Sequence, residues 1–302
     1  WPLSRKSRPK QLLSLDSDRS LYQLAIDRIL PIFNPENIIV ITAGSMVVDL
    51  MEQTPSIPAD NFLVEPEGRG TAPAIGLGAV YAQYLADGEA VVACLTADHV
   101  ISEEEEFQSI LSEAGNLAEG NRIITLGINP LFGSTAYGYI QRGDSKDASG
   151  GFDVYAVNRF KEKPTKNMAD SMAVDGEHYW NSGMFIWNTS KVMSEFEKQL
   201  PETFSILGNI SEIIHSKDID GDFDRIWLTV PYDTIDYGIM EGASDVWVMP
   251  VDIGWSDVGS WLSVLNYANS DDDGNVVLNG EHYNISSRNT LVHSNNSKKM
   301  IV

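Results

Sequence analysis

Over most of its length the chain alternates short apolar, β-branched runs with amphipathic stretches. Asn37–Thr42, Ala90–Leu95 and Arg122–Ile128 are near-continuously apolar. Runs of that length predict strands buried on both faces, as in a parallel sheet. Helices are predicted between them. Thr71 reads as a cap with Pro73 in the first turn, and Ile75, Ala79, Ala82 and Ala86 share one face. Ser102 followed by Glu103–Glu106 places four carboxylates where a helix dipole favours them. This alternation predicts a doubly wound sheet that binds its ligand at the carboxyl ends of the strands.

After residue 136 the pattern changes. Tyr137–Gln141 and Phe152–Val157 read as hairpin strands around the glycine- and acid-rich stretch Gly143–Gly151. Val258–Leu265 reads as a helix, and the tail from Asn269 opens with the turn Ser270–Asn275. These features predict a boundary near 268, giving a large domain over 1–268 and a short segment over 269–302. The chain opens at Trp1 inside what reads as a loop and ends on apolar Met300-Ile301-Val302. It is expected to be part of a longer polypeptide.

Composition narrows the function. With 21 basic and 43 acidic residues the formal charge is −22, which argues against nucleic acid and anionic membranes as partners. A single cysteine, Cys94, excludes an internal disulfide and any multi-cysteine metal site. No apolar run approaches the roughly 20 residues of a membrane span. Without a disulfide framework or a secretory segment, the cytoplasm is the expected compartment.

Four segments carry candidate chemistry. Arg5, Lys6, Arg8 and Lys10 form a basic cluster with no acid before Asp16, suited to an anion or simply a solvated arm. Leu95-Thr96-Ala97-Asp98-His99 ends an apolar strand in an aspartate, which either holds Mg²⁺ through hard oxygens or caps a turn. Phe160-Lys161-Glu162-Lys163-Pro164 presents a lysine suited to phosphate and a glutamate suited to hydroxyls, or is a mixed-charge strand end. Asp252–Trp261 combines two tryptophans, two glycines and Asp257, which is a second metal carboxylate or a helix cap.

Taken in order, these segments resemble the sugar-nucleotide pyrophosphorylases, and within them the mannose-1-phosphate guanylyltransferase branch. The resemblance rests on Trp1–Arg5 with Pro9-Lys10-Gln11, Glu65-Pro66 with Arg69 and Thr71–Ile75, Thr96–His99, and Tyr137–Ile140. It continues through Phe160–Pro164, Tyr179–Phe185, Ile235-Asp236-Tyr237 with Met240-Glu241, and Gly254–Trp261. Three positions depart from the branch pattern. Gly70 replaces the usual Asn beside the base site, Ala136 replaces Gly, and Gly238 replaces Ala.

The resemblance implies an α/β fold: a Rossmann-like nucleotidyltransferase domain with a mixed central sheet, then the start of a short left-handed β-helix at the C-terminus. It implies transfer of GMP from GTP to α-D-mannose 1-phosphate, giving GDP-mannose and pyrophosphate, with Mg²⁺ held by Asp98 and Asp257. Lys10, Arg5 and Arg8 are implied to meet the nucleotide phosphates, and Glu65, Arg69, Gly70, Thr71, Ala97 and Asp98 to line the nucleotide site. Glu65 is expected to read the donor edge of guanine. Gly138, Glu162, Lys163, Asn181 and Gly183 are implied to hold the sugar phosphate, whereas Tyr179, Trp180 and Trp187 are expected in the core. A glycine-rich loop and a central strand are expected to precede Trp1. Expected partners are GTP, mannose 1-phosphate and GDP-mannose, and a homodimer is compatible with the family. Three alternatives remain: a relative using another nucleotide and glucose 1-phosphate, a catalytically silent GDP-mannose-binding homologue, and a fused isomerase. Intact Asp98, Asp257 and Lys163 weigh against the second. The third lacks the metal-binding histidines.

Overall fold

The structure is a computed structural model that describes residues 4–5, 8–15, 18–146, 150–216, 222–279 and 283–293. Trp1–Leu3 and Lys6 of the opening motif, part of the 143–151 stretch and the terminal Met300–Val302 lie outside the described residues. In chain order the elements are α1 (Leu21–Asp27), β1 (Val40–Ala43), α2 (Val47–Gln53), β2 (Phe62–Glu65), α3 (Thr71–Ala86) and β3 (Val91–Cys94). Then come α4 (Glu104–Ala118), β4 (Ile123–Ile128), β5 (Tyr139–Ser145), β6 (Tyr155–Lys161), α5 (Lys166–Met172) and β7 (His178–Asn188). The order ends with α6 (Thr189–Gln199), α7 (Pro201–Ser216), α8 (Asp222–Trp227), β8 (Val246–Val251), α9 (Trp261–Tyr267), β9 (Val276–Asn279) and β10 (Leu291–His293).

The chain divides into two compact units. The larger comprises residues 32–95 and 105–252. Its main sheet has the order β3-β7-β4-β8-β6-β5, beside a separate parallel pair, β1 and β2. The three apolar runs are strands, and the central sheet is mixed, as the family resemblance implies, in place of the parallel one that the runs alone suggest. The long β7 pairs antiparallel with both β3 and β4, while β4 also runs parallel to β8. Because β4 is central, nearly every one of its side chains is buried. Two-faced burial holds for β4 alone: β1 is buried at alternate positions and β3 is exposed to half-buried, and hydrophobic continuity carries no information on strand direction. The hairpin strands also shift. β5 continues through Ser145 into the predicted gap, and β6 starts at Tyr155, because antiparallel pairing with bulges around Arg142 extends both.

The core of this unit gathers Trp187, Trp227, Phe196, Leu207, Ile210 and Val248 around α3, α6 and α7. Tyr179, Trp180 and Trp187 are all buried. Gly76 lets α3 approach its neighbours, since a Cβ there would sit 2.4 Å from Leu207 Cδ1. A Trp of this size buries about 150–250 Å², so Trp187→Ala should cost about 3–5 kcal/mol. Thr71 is not the cap of α3. Gly70 occupies that position, and the Thr71 hydroxyl accepts from the Ile235 backbone N–H at 2.9 Å.

The smaller unit comprises residues 1–31, 96–104 and 253–302. A capping box of Ser20 and Gln23 starts α1. Leu13, Leu15, Leu21, Val100, Val258 and Val264 form its core. An antiparallel bridge joins Val100 to Ser256. The expectation that Asp257 caps a helix from Val258 is corrected: α9 begins at Trp261, and the Ser260 hydroxyl accepts from the Ser263 N–H at 3.1 Å. A serine one residue before an apolar helix is the stronger cap by position. In the tail the described residues show one parallel pair, β9 with β10.

Candidate functional site

In the larger unit, the end of β6 and a bulge in β7 bring together a polar cradle. A step of two residues along β4 (Thr125 to Gly127) is matched by a step of four along β7 (Asn181 to Phe185). The slack is taken up at Gly183, whose φ of 73° only glycine adopts without strain. The bulge re-aims Asn181, whose Oδ1 accepts from the Gly183 N–H at 3.0 Å. Its backbone N–H donates to Gly138 O at 2.8 Å. Gly138 is required by close approach: a Cβ would lie 2.4 Å from Glu162 Oε2 and 3.3 Å from Asn181 Cβ. Glu162 is only 8% exposed and pairs with Lys163 Nζ at 3.2 Å. Lys163 is exposed, has a φ of 40°, and its ammonium is held above its ordinary pKa chiefly by the hydrogen bond to Glu162.

Sequence reasoning assigned no role to two further carboxylates here. Asn181 Nδ2 donates to Asp236 Oδ1 at 2.8 Å. Burial, and then the Glu162 carboxylate, push the Asp236 carboxyl up to about 6, against the pull of its own backbone N–H, Asn181 and Lys163. Glu241 Oε1 accepts from the Glu162 N–H at 3.3 Å and lies 4.0 Å from Lys161 Nζ. The one sequence signal was the Ile235-Asp236-Tyr237 segment, which marked a match without assigning a task.

The same unit holds the predicted base-reading residues. Glu65 ends β2, and its Oε1 is buried with no hydrogen-bond partner in the structure. Burial pushes this carboxyl up, while a hydrogen bond from the Arg69 backbone opposes the rise. Arg69 donates from Nη2 to Leu228 O and Glu67 Oε2, both at 2.8 Å, so its head is anchored to the protein. Gly70 has a φ of 90°, and a Cβ there would meet Asp233 O at 2.1 Å. Asp233 N–H donates to Arg69 O at 3.0 Å and Asp233 O accepts from the Ala72 N–H at 3.2 Å. The glycine thus serves a close backbone crossing against Asp233. Burial pushes the Cys94 thiol up to about 12, which keeps it protonated at neutral pH.

The smaller unit gathers a different set. Lys10 Nζ lies 3.0 Å from Asp98 Oδ2 and also donates to the backbone oxygen of Asp257. The Asp257 carboxylate accepts from the Gly259 N–H at 3.2 Å. His99 stacks edge-on against Trp255, whose indole N–H donates to His99 Nδ1 at 3.2 Å. Burial pushes His99 down to about 4, although Asp98 pulls the other way, so it is neutral at pH 7. Its Nε2 then carries the proton and lies 3.8 Å from Asp98 Oδ1. Arg28 Nη2 fixes the His99 carbonyl at 3.0 Å. Arg5 and Arg8 exchange two backbone hydrogen bonds and expose their side chains, as does Ala97 beside Asp98.

Among the described residues no three His, Cys, Asp or Glu side chains are grouped to hold a metal. The available donors are the carboxylates of Asp98, paired with Lys10, and of Asp257, whose backbone oxygen accepts from the same lysine. Two hard oxygen donors suit Mg²⁺, which keeps waters and substrate phosphates as its remaining ligands. No described helix is long and apolar enough to cross a membrane.

The family model of nucleotidyl transferases matches residues 1–274, and the chain belongs to that family. It is 34% identical over 301 residues to a mannose-1-phosphate guanylyltransferase of Escherichia coli K12, covering 97% of this chain and 62% of that one. A putative mannose-1-phosphate guanylyltransferase of Vibrio cholerae is 38% identical, with 91% of this chain and 59% of that one covered. The chain thus spans about three fifths of the length of these relatives. A solved structure from Thermus thermophilus, named mannose-1-phosphate geranyltransferase, aligns over 100% of this chain and 84% of its own at 27% identity and a TM-score of 0.85. The α/β nucleotidyltransferase fold with its mixed central sheet is therefore shared.

Proposed function

We propose that this chain transfers GMP from GTP to α-D-mannose 1-phosphate, giving GDP-mannose and pyrophosphate. The observation that carries the reading is the cradle of Gly138, Glu162, Lys163 and Asn181. It offers a buried acceptor for hydroxyls, an oriented amide donor and an exposed ammonium for a phosphate. The buried, unpartnered Oε1 of Glu65 supports guanine, whose Watson–Crick edge supplies the N–H donors that this oxygen lacks.

The reaction joins two anions by in-line attack of a sugar-phosphate oxygen on the α-phosphorus, so its barrier is electrostatic and positional. Lys163 holds the sugar phosphate while Glu162, Asn181, Gly138 and Gly183 orient the pyranose. Glu65 fixes the base, with Arg69, Gly70, Thr71 and Ala97 shaping the nucleotide subsite. Lys10, Arg5 and Arg8 balance the nucleotide phosphates. Bound Mg²⁺, held by Asp98 and Asp257, would supply charge neutralisation at the phosphate oxygens. In the same reading 1–268 is the catalytic domain and 269–302 begins a left-handed β-helix. The protein works in the cytoplasm, and a homodimer fits. Assay of the purified protein with GTP and mannose 1-phosphate, with and without chelator, tests this. GDP-mannose and pyrophosphate formed only with divalent metal are expected, and metal-independent synthesis removes the role of the two aspartates.

A further inference from the structure

Asp236 opens a single π turn, Asp236–Met240, whose Ile239 and Met240 are buried and hold it in place. Such turns concentrate at functional positions. The side chain faces Asn181 from β7 and Glu162 and Lys163 from the end of β6. Because Asn181 Oδ1 already accepts from the Gly183 N–H, its Nδ2 must be the donor end. One of its N–H bonds goes to Asp236, and the other remains to meet a ligand. Two carboxylates, Glu162 and Asp236, therefore share one ammonium and one amide in a partly desolvated place. The cradle has more acceptors than donors. A ligand that brings several neutral O–H donors balances it, and a pyranose does so.

We propose that Asp236 is a specificity-determining residue of the sugar subsite: its carboxylate accepts one pyranose hydroxyl beside Glu162 and sets the direction in which Asn181 donates. This rests on the reading of the Glu162–Lys163 cradle as the sugar-phosphate site. Any pKa-linked effect would involve Glu162, Lys163 and Asn181 together, so the test is built on ligand groups instead.

The test compares wild type, Asp236→Ala and Asp236→Asn with mannose 1-phosphate, its 2-, 3- and 4-deoxy analogues, glucose 1-phosphate and galactose 1-phosphate, alongside thermal melting. Asp236→Ala should raise KM for mannose 1-phosphate about 10- to 100-fold, from the usual worth of a charge-assisted hydrogen bond. KM for GTP should stay within about twofold, and Asp236→Asn should recover part of the loss. One deoxy analogue, lacking the hydroxyl in question, should lose nothing further in Asp236→Ala. If every deoxy analogue loses as much again in the variant, or both substrates weaken together with a lowered Tm, Asp236 is structural and the proposal is overturned. If wild type prefers a different hexose 1-phosphate and Asp236→Ala weakens that one selectively, the mannose reading fails while Asp236 keeps its role. If it accepts no hexose 1-phosphate, both readings fall.

Discussion

Asp98 in the smaller unit and Glu65 and Asp236 in the larger one are held in contrasting ways. In the smaller one Asp98 and the backbone of Asp257 are already answered by Lys10, and the proton of neutral His99 is turned towards Asp98 by Trp255. In the larger one Glu65 and Asp236 are desolvated and pushed up, and Glu65 has a buried oxygen with no partner. Asp98, ion-paired and part-exposed, can exchange its lysine for a divalent ion, whereas Glu162 keeps its lysine in a buried setting that suits hydroxyls. Acceptors left short of donors are ready for N–H and O–H groups, so they suit a base and a sugar. A map of surface charge would not separate these sets; local compensation does.

The sharpest way to break the comparison is to neutralise Asp98 and Asp257. Asp98→Asn and Asp257→Asn should each lower turnover about a hundredfold or more with Tm little changed, as expected for several kcal/mol of lost charge stabilisation. Near wild-type turnover in either variant would return that aspartate to the role of a turn residue. Next in size, Lys163→Ala should raise KM for mannose 1-phosphate about 10- to 100-fold and leave GTP alone. A raised GTP KM with an unchanged sugar KM would move Lys163 to the other substrate.

Glu65→Gln sharpens the contrast from the donor-seeking side. The amide keeps one acceptor and turns the other oxygen into a donor that faces the guanine amino group. The preference for GTP over ITP should fall about tenfold, within the worth of a base contact. An unchanged ratio in steady-state competition places base reading elsewhere. The smallest effect is on stability against pH. Because the folded pKa of Asp236, about 6, exceeds its ordinary value of 3.8, the folded state holds the proton more tightly. Its contribution to stability is full below about 4 and lost as pH rises through 6. Relative to wild type, Asp236→Asn should therefore gain about 2–4 °C in Tm between pH 4 and 7. A constant difference between the two melting curves over that range would refute the shift.

Much of the site was legible in the chain because the family's chemistry is carried by short contiguous segments. Glu162 and Lys163 are adjacent, Asn181 and Gly183 lie two apart, and Asp98 follows an apolar run. Asp236 was not legible in that sense. Its partner Asn181 is 55 positions away, and its desolvation is a property of packed neighbours. Gly70 shows the same limit: as a letter it was a missing Asn, and as structure its backbone runs close against Asp233.

The sequence by itself determined that this is an α/β chain, which runs are strands, and which residue types can carry phosphate, hydroxyl and metal chemistry. Those properties are set by side-chain identity and local periodicity, which act over a few residues. Only the tertiary structure decided which strands pair and in which direction, the β7 bulge that turns Asn181, the tight backbone crossing at Gly70 and the state of the site carboxylates. These depend on pairing, steric approach and desolvation between residues far apart in the chain, where the cost of burying a charge is fixed by what surrounds it.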